Sequence, residues 1–320
     1  MSTSLPKGPR GPVGRVTLIV FPGGFNWPVW VAQDRGLFAQ HDIAVDVVLT
    51  PGSVFQWTAL ARGDAQIAVT LMDNVVAYRE AQGEAPVIVD DAIALMALDT
   101  RSMPALVTTP AIRSYADLRG RTLAVDAVKT GNALVLTGML ERGGLRRDEY
   151  RLEQAGGVMQ RYEAMARGEY AGSLFNAPFD GLLKDRGYNT LDTAESLLKH
   201  FQGQVVAVRK NWADLHRPLV VGFIRAITEA IQWLYAPGNR TEAFAIHDRN
   251  SVDAQPGAAA TAYSILFASA SGIPVDGEID VEGVTQVLAL RTKYGQPPKL
   301  LREPSAYCDG TFLAKATGRR

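Results

Sequence analysis

One loop near the N-terminus combines two aromatic rings and an amide, side chains that can bind a ligand. They belong to Phe25, Asn26 and Trp27. The loop follows the apolar, β-branched run 16–21 and opens with the turn Pro22-Gly23-Gly24. Small-molecule pockets are usually lined by aromatic faces with a few polar groups. We therefore expect these three residues to bind a ligand by stacking and hydrogen bonding. The alternative for Trp27 is packing in a core, where aromatic rings are common.

Two further groups of side chains follow the next two predicted strands. Thr50 and Ser53 come after the second strand, and Thr70, Met72 and Asp73 come after the third. In open α/β sheets, ligands bind in the crevice outside the carboxyl ends of the strands. We therefore expect all five residues to line the same site. Ser53 and Asp73 have a second interpretation, as caps of the helices that follow them.

A second cluster surrounds the predicted start of a helix in the middle of the chain. Its members are Asp126, Lys129, Thr130 and Asn132. Backbone donors at a helix N-terminus, together with a hydroxyl and an ammonium group, suit an anionic ligand. Asn176 and Phe179 end a later strand of the same half, and we expect them in the same cleft. The alternative for the whole cluster is an ordinary exposed turn.

These loops require strands that alternate with helices. Residues 16–49 fit a strand, a glycine loop, a helix and a strand, with Pro28 in the first helical turn and Gly36 ending the helix. The pattern continues along the chain, and the segment ALARGD at 59–64 returns as AMARGE at 164–169. We interpret this internal echo as two similarly wound α/β lobes.

After the second α/β series the sequence is helical. Apolar residues at helical spacing predict a long amphipathic helix over residues 217–235. Further helices are predicted at 239–248, 258–268 and 279–294. We expect this tail to pack back on the first lobe, so that the chain crosses between the lobes near residues 108–112 and 200–207.

Composition excludes several classes of protein. Lys plus Arg and Asp plus Glu both number 33, so no net field is available to hold nucleic acid or an anionic membrane. Cys308 is the only cysteine, which excludes internal disulfides and thiolate clusters. No catalytic or nucleotide-binding motif is present, and no apolar run approaches the roughly 20 residues of a membrane span. We expect no cofactor, and no metal, because the histidines lack ligand spacing. They are His41, His200, His216 and His247.

The first fifteen residues, MSTSLPKGPRGPVGR, are basic but lack the apolar core of a signal peptide. We expect a disordered leader over residues 1–15. Two alternatives stay open: the protein works in the cytoplasm, or an export signal was removed or lay upstream of Met1.

Three segments, in this order, resemble a known family. They are WVAQDRGLF at 30–38, ALARGDAQIA at 59–68 and YADLRGRTLAV at 115–125. Together they resemble the type II periplasmic substrate-binding proteins of ABC importers, in the SsuA-like group for nitrate, sulfonate, taurine and thiamine precursors. The region 209–246 is similar to the C-terminal helices of that family, so the resemblance covers most of the chain.

The resemblance implies an α/β class protein with the bilobal periplasmic-binding-protein type II fold and a central ligand cleft. Lobe one would comprise residues 16–108 plus 205–320, and lobe two residues 109–204. The implied function is capture of a small organic molecule, a sulfonate, carboxylate or pyrimidine-like compound, without enzymatic activity. The implied partner is an ABC importer permease and the implied location is the periplasm. We further expect a monomer that does not bind nucleic acid.

The two residue clusters predict a ligand with a flat or apolar body and an anionic end, the latter bound by Lys129. The alternative function is a cytoplasmic enzyme of the same fold, because pyrimidine-precursor synthases and small decarboxylases or lyases resemble it. The missing export signal favours that alternative, whereas the absence of the synthases' cysteine-rich motif opposes a synthase. A ligand-sensing partner of a cytoplasmic regulator is a third class.

Overall fold

A computed structural model of the chain describes residues 14–99, 103–176, 179–251, 257–267 and 272–319. Within these ranges the strands form two separate five-stranded sheets. The strands are β1 (Gly14–Val20), β2 (Ile43–Leu49), β3 (Ile67–Leu71), β4 (Ala92–Ala97), β5 (Ala105–Thr108), β6 (Thr122–Val125), β7 (Arg151–Gln154), β8 (Gly172–Phe175), β9 (Asn189–Thr193) and β10 (Gln204–Arg209). Residues 1–13 of the predicted leader lie outside the described residues, and β1 begins at Gly14, inside the leader's predicted end.

Helices fill the connections between these strands and form the C-terminal part of the chain. They are α1 (Trp27–Asp34), α2 (Leu37–Gln40), α3 (Ser53–Arg62), α4 (Met72–Arg79), α5 (Gly131–Arg142), α6 (Val158–Ala166), α7 (Phe179–Asp185), α8 (Lys210–Leu215), α9 (Arg217–Tyr235), α10 (Arg240–Asn250), α11 (Ala258–Leu266), α12 (Val281–Tyr294) and α13 (Thr311–Thr317).

The first sheet, in the order β2-β1-β3-β10-β4, is the centre of lobe one. β1 runs parallel to both of its neighbours, and Leu18, Ile19 and Val20 are at most 1% exposed. Burial on both faces explains why this strand lacks polar alternation. β10 returns from the second lobe and pairs antiparallel with β3 and β4.

The second sheet, in the order β7-β6-β8-β5-β9, is the centre of lobe two. β5 pairs antiparallel with β8 and β9, so it belongs to this sheet. The predicted lobe boundary after residue 108 is therefore corrected: the first crossing lies between β4 and β5. The reason is long-range pairing, because the short apolar strand finds both of its partners in lobe two. The second crossing lies between β9 and β10.

The C-terminal helices serve both lobes. α9 and α10 contact α1, and α13 contacts α9, so these helices cover lobe one. α12 instead contacts α4 of lobe one and α5 of lobe two. Its Val284, Val287 and Leu288 belong to one apolar core shared with residues of both lobes. The tail therefore packs on lobe one, as expected, and also joins the two lobes, which the sequence did not predict.

Across the described ranges, no single helix is long and apolar enough to cross a bilayer, and the bent pair Arg217–Tyr235 and Pro237–Asn250 reaches that length only with an 87° bend.

Candidate functional site

Trp27, predicted to stack on a ligand, is a core residue of lobe one. Its side chain is 0% exposed, and its Nε1 donates to the carbonyl oxygen of Ala243 at 3.2 Å. The Tyr263 and Phe267 rings meet it edge-on, with centroids 5.8 and 5.6 Å away. Because the rings of His247, Tyr263 and Phe267 surround the indole and leave none of it exposed, its predicted role is corrected to packing.

Phe25 and Asn26 occupy the short turn between β1 and α1. Phe25 is half-buried and packs against the lobe-one core, and a side chain at Gly23 would overlap its ring. Asn26 is 1% exposed and its Nδ2 donates to the carbonyl oxygen of Phe21 at 2.6 Å. Its Oδ1 is buried and has no hydrogen-bond partner in the described part of the chain. The hydrogen bond to the end of β1 thus fixes the orientation of the Asn26 side-chain amide, and the Oδ1 atom of this amide stays available as an acceptor.

Gln56 on α3 forms a second such group, one that the sequence did not single out. Its Nε2 donates to the carbonyl oxygens of Ile19 and Val69, at 3.2 and 3.0 Å. Its Oε1 is buried and, among the described residues, unpartnered. Asn26 and Gln56 therefore both donate to backbone carbonyl oxygens at the carboxyl ends of β1 and β3. The side-chain oxygens of these two amides lack donors among the described residues, and each unsatisfied buried acceptor lowers stability by about 1–3 kcal/mol.

The predicted residues after β2 form a local turn. Thr50 is buried, and its Oγ1 donates to the carbonyl oxygen of Gly52 at 2.7 Å. Ser53 is the first residue of α3 and makes no side-chain cap, which corrects its capping interpretation. Its Oγ instead accepts from the Tyr78 hydroxyl at 3.1 Å. Burial raises the pKa of Tyr78, so its hydroxyl stays a donor at neutral pH.

The predicted residues after β3 point inward. Thr70 is 0% exposed, and its Oγ1 accepts from Asn74 Nδ2 at 3.0 Å. Met72 is also 0% exposed and belongs to the apolar core. Neither side chain reaches a cleft surface in this structure.

Asp73 forms the contact at which both lobes and the tail meet, which we call the interlobe clasp. Arg291 on α12 donates from Nε to Asp73 Oδ1 at 2.7 Å and from Nη2 to Oδ2. The guanidinium also donates to the carbonyl oxygens of Gln82 and Lys129, at 3.1 and 2.9 Å. Gly131, the first residue of α5, lies against the carboxylate: a Cβ there would be 2.6 Å from Asp73 Cγ. The clasp consists of Asp73, Arg291 and Gly131.

The clasp changes the predicted anion site at the start of α5. The helix N-terminus, where backbone donors attract negative charge, already faces the protein's own Asp73 carboxylate. Thr130 caps the helix and donates to Asp126 Oδ1 at 2.7 Å. Asn132 is half-buried, and the Lys129 side chain is exposed. The structure thus brings this cluster together but leaves only Lys129 open to solvent as a cation.

At the other lobe-two strand end, Asn176 is exposed and Phe179 packs against Tyr162, with ring centroids 5.6 Å apart. Phe179 is half-buried and packs against the small core under the second sheet, so part of its ring is used in packing.

Arg161 on α6, missed in the sequence, is 6% exposed beneath the same sheet edge. Its Nη1 donates to the Leu174 carbonyl oxygen at 2.7 Å and to Ser173 Oγ at 3.2 Å. No carboxylate of the described chain pairs with it, and its Nε has no partner there. Burial lowers the pKa of Arg161, and the nearby charge of Asp126 opposes that shift.

The missed residues share a sequence signal. Arg291 occupies the position that continues the apolar stripe of Val284, Val287 and Leu288 on α12. Gln56 and Arg161 likewise occupy inward positions of α3 and α6. A polar residue inside an apolar stripe of a helix must find partners when it is buried.

Metal-ligating groups and the single cysteine are the remaining side chains with chemical potential. No group of three or more His, Cys, Asp or Glu side chains among them could hold a metal ion. Burial raises the pKa of the Cys308 thiol to about 12, so the nucleophilic thiolate is scarce at neutral pH.

The chain belongs to the NMT1/THI5-like family, whose model matches residues 26–239. This confirms the group that the sequence motifs resembled. No curated protein matches the sequence significantly.

Solved structures with the same fold support the bilobal prediction. The nitrate-binding protein NrtA from Synechocystis PCC 6803 has a TM-score of 0.73 and 12% identity over 97% of this chain and 90% of its own. The alkanesulfonate-binding protein SsuA from Xanthomonas axonopodis pv. citri has a TM-score of 0.71 and 15% identity over 94% of this chain and 100% of its own. The desulfurization enzyme DszB has a TM-score of 0.63 and 15% identity over 95% of this chain and 99% of its own. The predicted α/β bilobal fold is confirmed.

Proposed function

We propose that this chain is the substrate-binding protein of an ABC importer and captures a small organic molecule between its lobes. The observation that carries the proposal is the contact between α4 and α5, the helices that follow β3 and β6, at Asp73 and Gly131. The described strands divide between two sheets, with the chain passing from one to the other after β4 and after β9. Hinged closure around a ligand needs two lobes and few connections. Family membership and the two fold neighbours named as binding proteins support it. A monomer in the periplasm belongs to the same proposal.

The ligand class that we propose is a sulfonate, carboxylate or pyrimidine-like molecule with a flat body. Lys129 supports an anionic end, because its side chain is exposed and makes no ion pair with any described carboxylate, although its backbone N–H already donates to Glu84 Oε1. Asp73 already occupies the start of α5, so the ammonium group of Lys129, rather than the helix N-terminus, would meet the anion. The buried amide oxygens of Asn26 and Gln56, which have no donor among the described residues, support a body that carries N–H or O–H donors.

A same-fold enzyme, of the pyrimidine-precursor synthase type or a small decarboxylase or lyase, is the second candidate. The likeness to DszB is the observation that favours it. Cysteine-based chemistry would have to use Cys308, whose thiol is held protonated by burial. That feature supports binding over catalysis by a cysteine nucleophile.

Calorimetry against a panel of sulfonates, carboxylates and pyrimidines tests the proposal. Lys129→Ala should weaken the best ligand by about 1–3 kcal/mol, the range for a charge-assisted hydrogen bond. Lys184→Ala, an exposed lysine on α7 without an ion pair among the described residues, is the matched control and should bind as wild type. Binding of none of the panel would contradict capture of this ligand class. Conversion of the ligand, seen by NMR after incubation, would favour the enzyme.

A further inference from the structure

A groove of about 710 Å³ lies on lobe two, between α5, β7 and the end of α12. This volume is within the range of small-molecule pockets. The base of the groove is apolar, with buried Leu134, Leu145 and Tyr150 and half-buried Leu152. Exposed Val128 extends this apolar surface to the rim. The groove has its own lining, and it contains none of the residues of the interlobe clasp.

The rim of the groove is predominantly cationic. Arg146, Arg147 and Lys293 line it together with a single carboxylate, Glu141. Glu141 is already satisfied: Lys293 Nζ donates to one oxygen at 2.8 Å, and the Tyr294 hydroxyl donates to the other. These bonds lower the pKa of Glu141, so the carboxylate stays ionised and bound to Lys293.

The two arginines of the rim differ in their partners. Arg146 pairs with Asp148 at 3.4 Å and with Glu149 at 3.8 Å. Arg147 forms no ion pair with a described carboxylate; its Nη1 donates to the Tyr150 carbonyl oxygen at 3.3 Å. Its guanidinium lies 5.1 Å from the centroid of the Tyr150 ring, which belongs to the apolar base. An exposed, uncompensated guanidinium is therefore fixed beside an apolar surface.

We propose that this groove is a second binding site, for a small amphipathic anion with an aromatic or alkyl body and one carboxylate or sulfonate group. The apolar body of the ligand packs against Leu134, Tyr150 and Leu152, and this contact buries apolar surface of both the ligand and the groove. The head group meets the planar fork of Arg147, which matches a carboxylate or sulfonate in two-point hydrogen bonding. The charge of the rim selects an anion over a neutral molecule of the same shape. The proposal does not depend on ligand capture between the lobes.

Two fluorescent probes that share a body test this site. 8-Anilinonaphthalene-1-sulfonate carries the sulfonate, and N-phenyl-1-naphthylamine lacks it. Wild-type protein should bind the sulfonate about tenfold or more tighter than the neutral probe, as loss of a charge-assisted bond implies. Arg147→Gln should abolish this preference and leave the neutral probe unaffected. Arg151→Gln should keep it, because Arg151 precedes Leu152 on β7 and points to the opposite face.

Filling the groove locates the probes. Thr137 on α5 lines the groove and is half-buried, so Thr137→Trp should occupy the space and abolish binding of both probes. Leu152→Trp repeats the test from the β7 side, and circular dichroism confirms the fold of each variant. A sulfonate preference that persists in Arg147→Gln would overturn the proposal. Unchanged probe binding in a folded Trp variant would also overturn it, because the probes would then bind elsewhere.

Discussion

Asp73→Asn should destabilise the protein strongly, because it breaks the interlobe clasp from one side. The two side chains of the pair are 1% and 3% exposed, so Arg291 would be left as an uncompensated buried charge. Removing one partner of a buried ion pair typically costs about 3–5 kcal/mol. We expect the free energy of unfolding to fall by that amount.

The double variant Asp73→Asn/Arg291→Met separates the cost of an unpaired buried charge from the cost of the lost hydrogen bonds. It removes both charges at once, and its main loss is the pair of hydrogen bonds to the carbonyl oxygens of Gln82 and Lys129. At about 1 kcal/mol for each carbonyl oxygen left without its donor, the low end of the range for an unsatisfied acceptor, the double variant should be about 2 kcal/mol less stable than wild type. It should therefore be more stable than Asp73→Asn alone.

Urea unfolding followed by tryptophan fluorescence and circular dichroism measures these differences. Asp46→Asn is the control, because its partner Arg15 and Asp46 are 74% and 51% exposed and the pair should contribute less than about 1 kcal/mol. A loss of stability in Asp73→Asn no larger than in this control would contradict the buried ion pair. A double variant less stable than the single one would contradict it too, since the two charges would then not be coupled.

Three further outcomes are expected. Trp27→Phe loses the hydrogen bond to the Ala243 carbonyl oxygen, so the free energy of unfolding in urea should fall by about 1–3 kcal/mol. Calorimetry should show an unchanged ligand affinity, and a change in affinity without a change in stability would return Trp27 to the binding site. Gly131→Ala places a methyl group 2.6 Å from Asp73 Cγ and should lower the free energy of unfolding by about 1–3 kcal/mol in the same assay. The control Gly181→Ala has open space around the new methyl group and should not destabilise the protein. The native Cys308 thiol should react with iodoacetamide at pH 8 at least about a hundredfold more slowly than the unfolded chain, and equal rates would contradict its burial. Because its pKa is raised, its contribution to stability is complete below the ordinary thiol pKa and is lost as the pH rises from there towards about 12.

The sequence was informative where local pattern determines structure. The uninterrupted apolar run of β1 predicted a strand buried on both faces, and the period of residues 217–235 predicted α9 with its bounds. Family motifs supplied the bilobal arrangement. Each of these signals is contained in a short window, so a single sequence is sufficient to read it.

The sequence was misleading where partners distant in the chain decide the outcome. Trp27 looked like a loop aromatic because the helices that cover it lie more than 200 residues further on, at Ala243 and beyond. β5 is apolar enough for either sheet, and only its pairing with β8 and β9 assigns it to lobe two. Asp73 and Arg291 are separated by 218 residues, so their pairing was invisible to local analysis.

Hydrogen exchange of the backbone amides, with and without the best ligand of the calorimetric panel, tests most directly whether the lobes bind a molecule between them. Capture between the lobes predicts slower exchange in both residues 21–26 of lobe one and residues 126–132 of lobe two when the ligand is bound. Protection confined to one lobe, or to the groove segments 144–152 and 293–296, would contradict capture in the interlobe cleft.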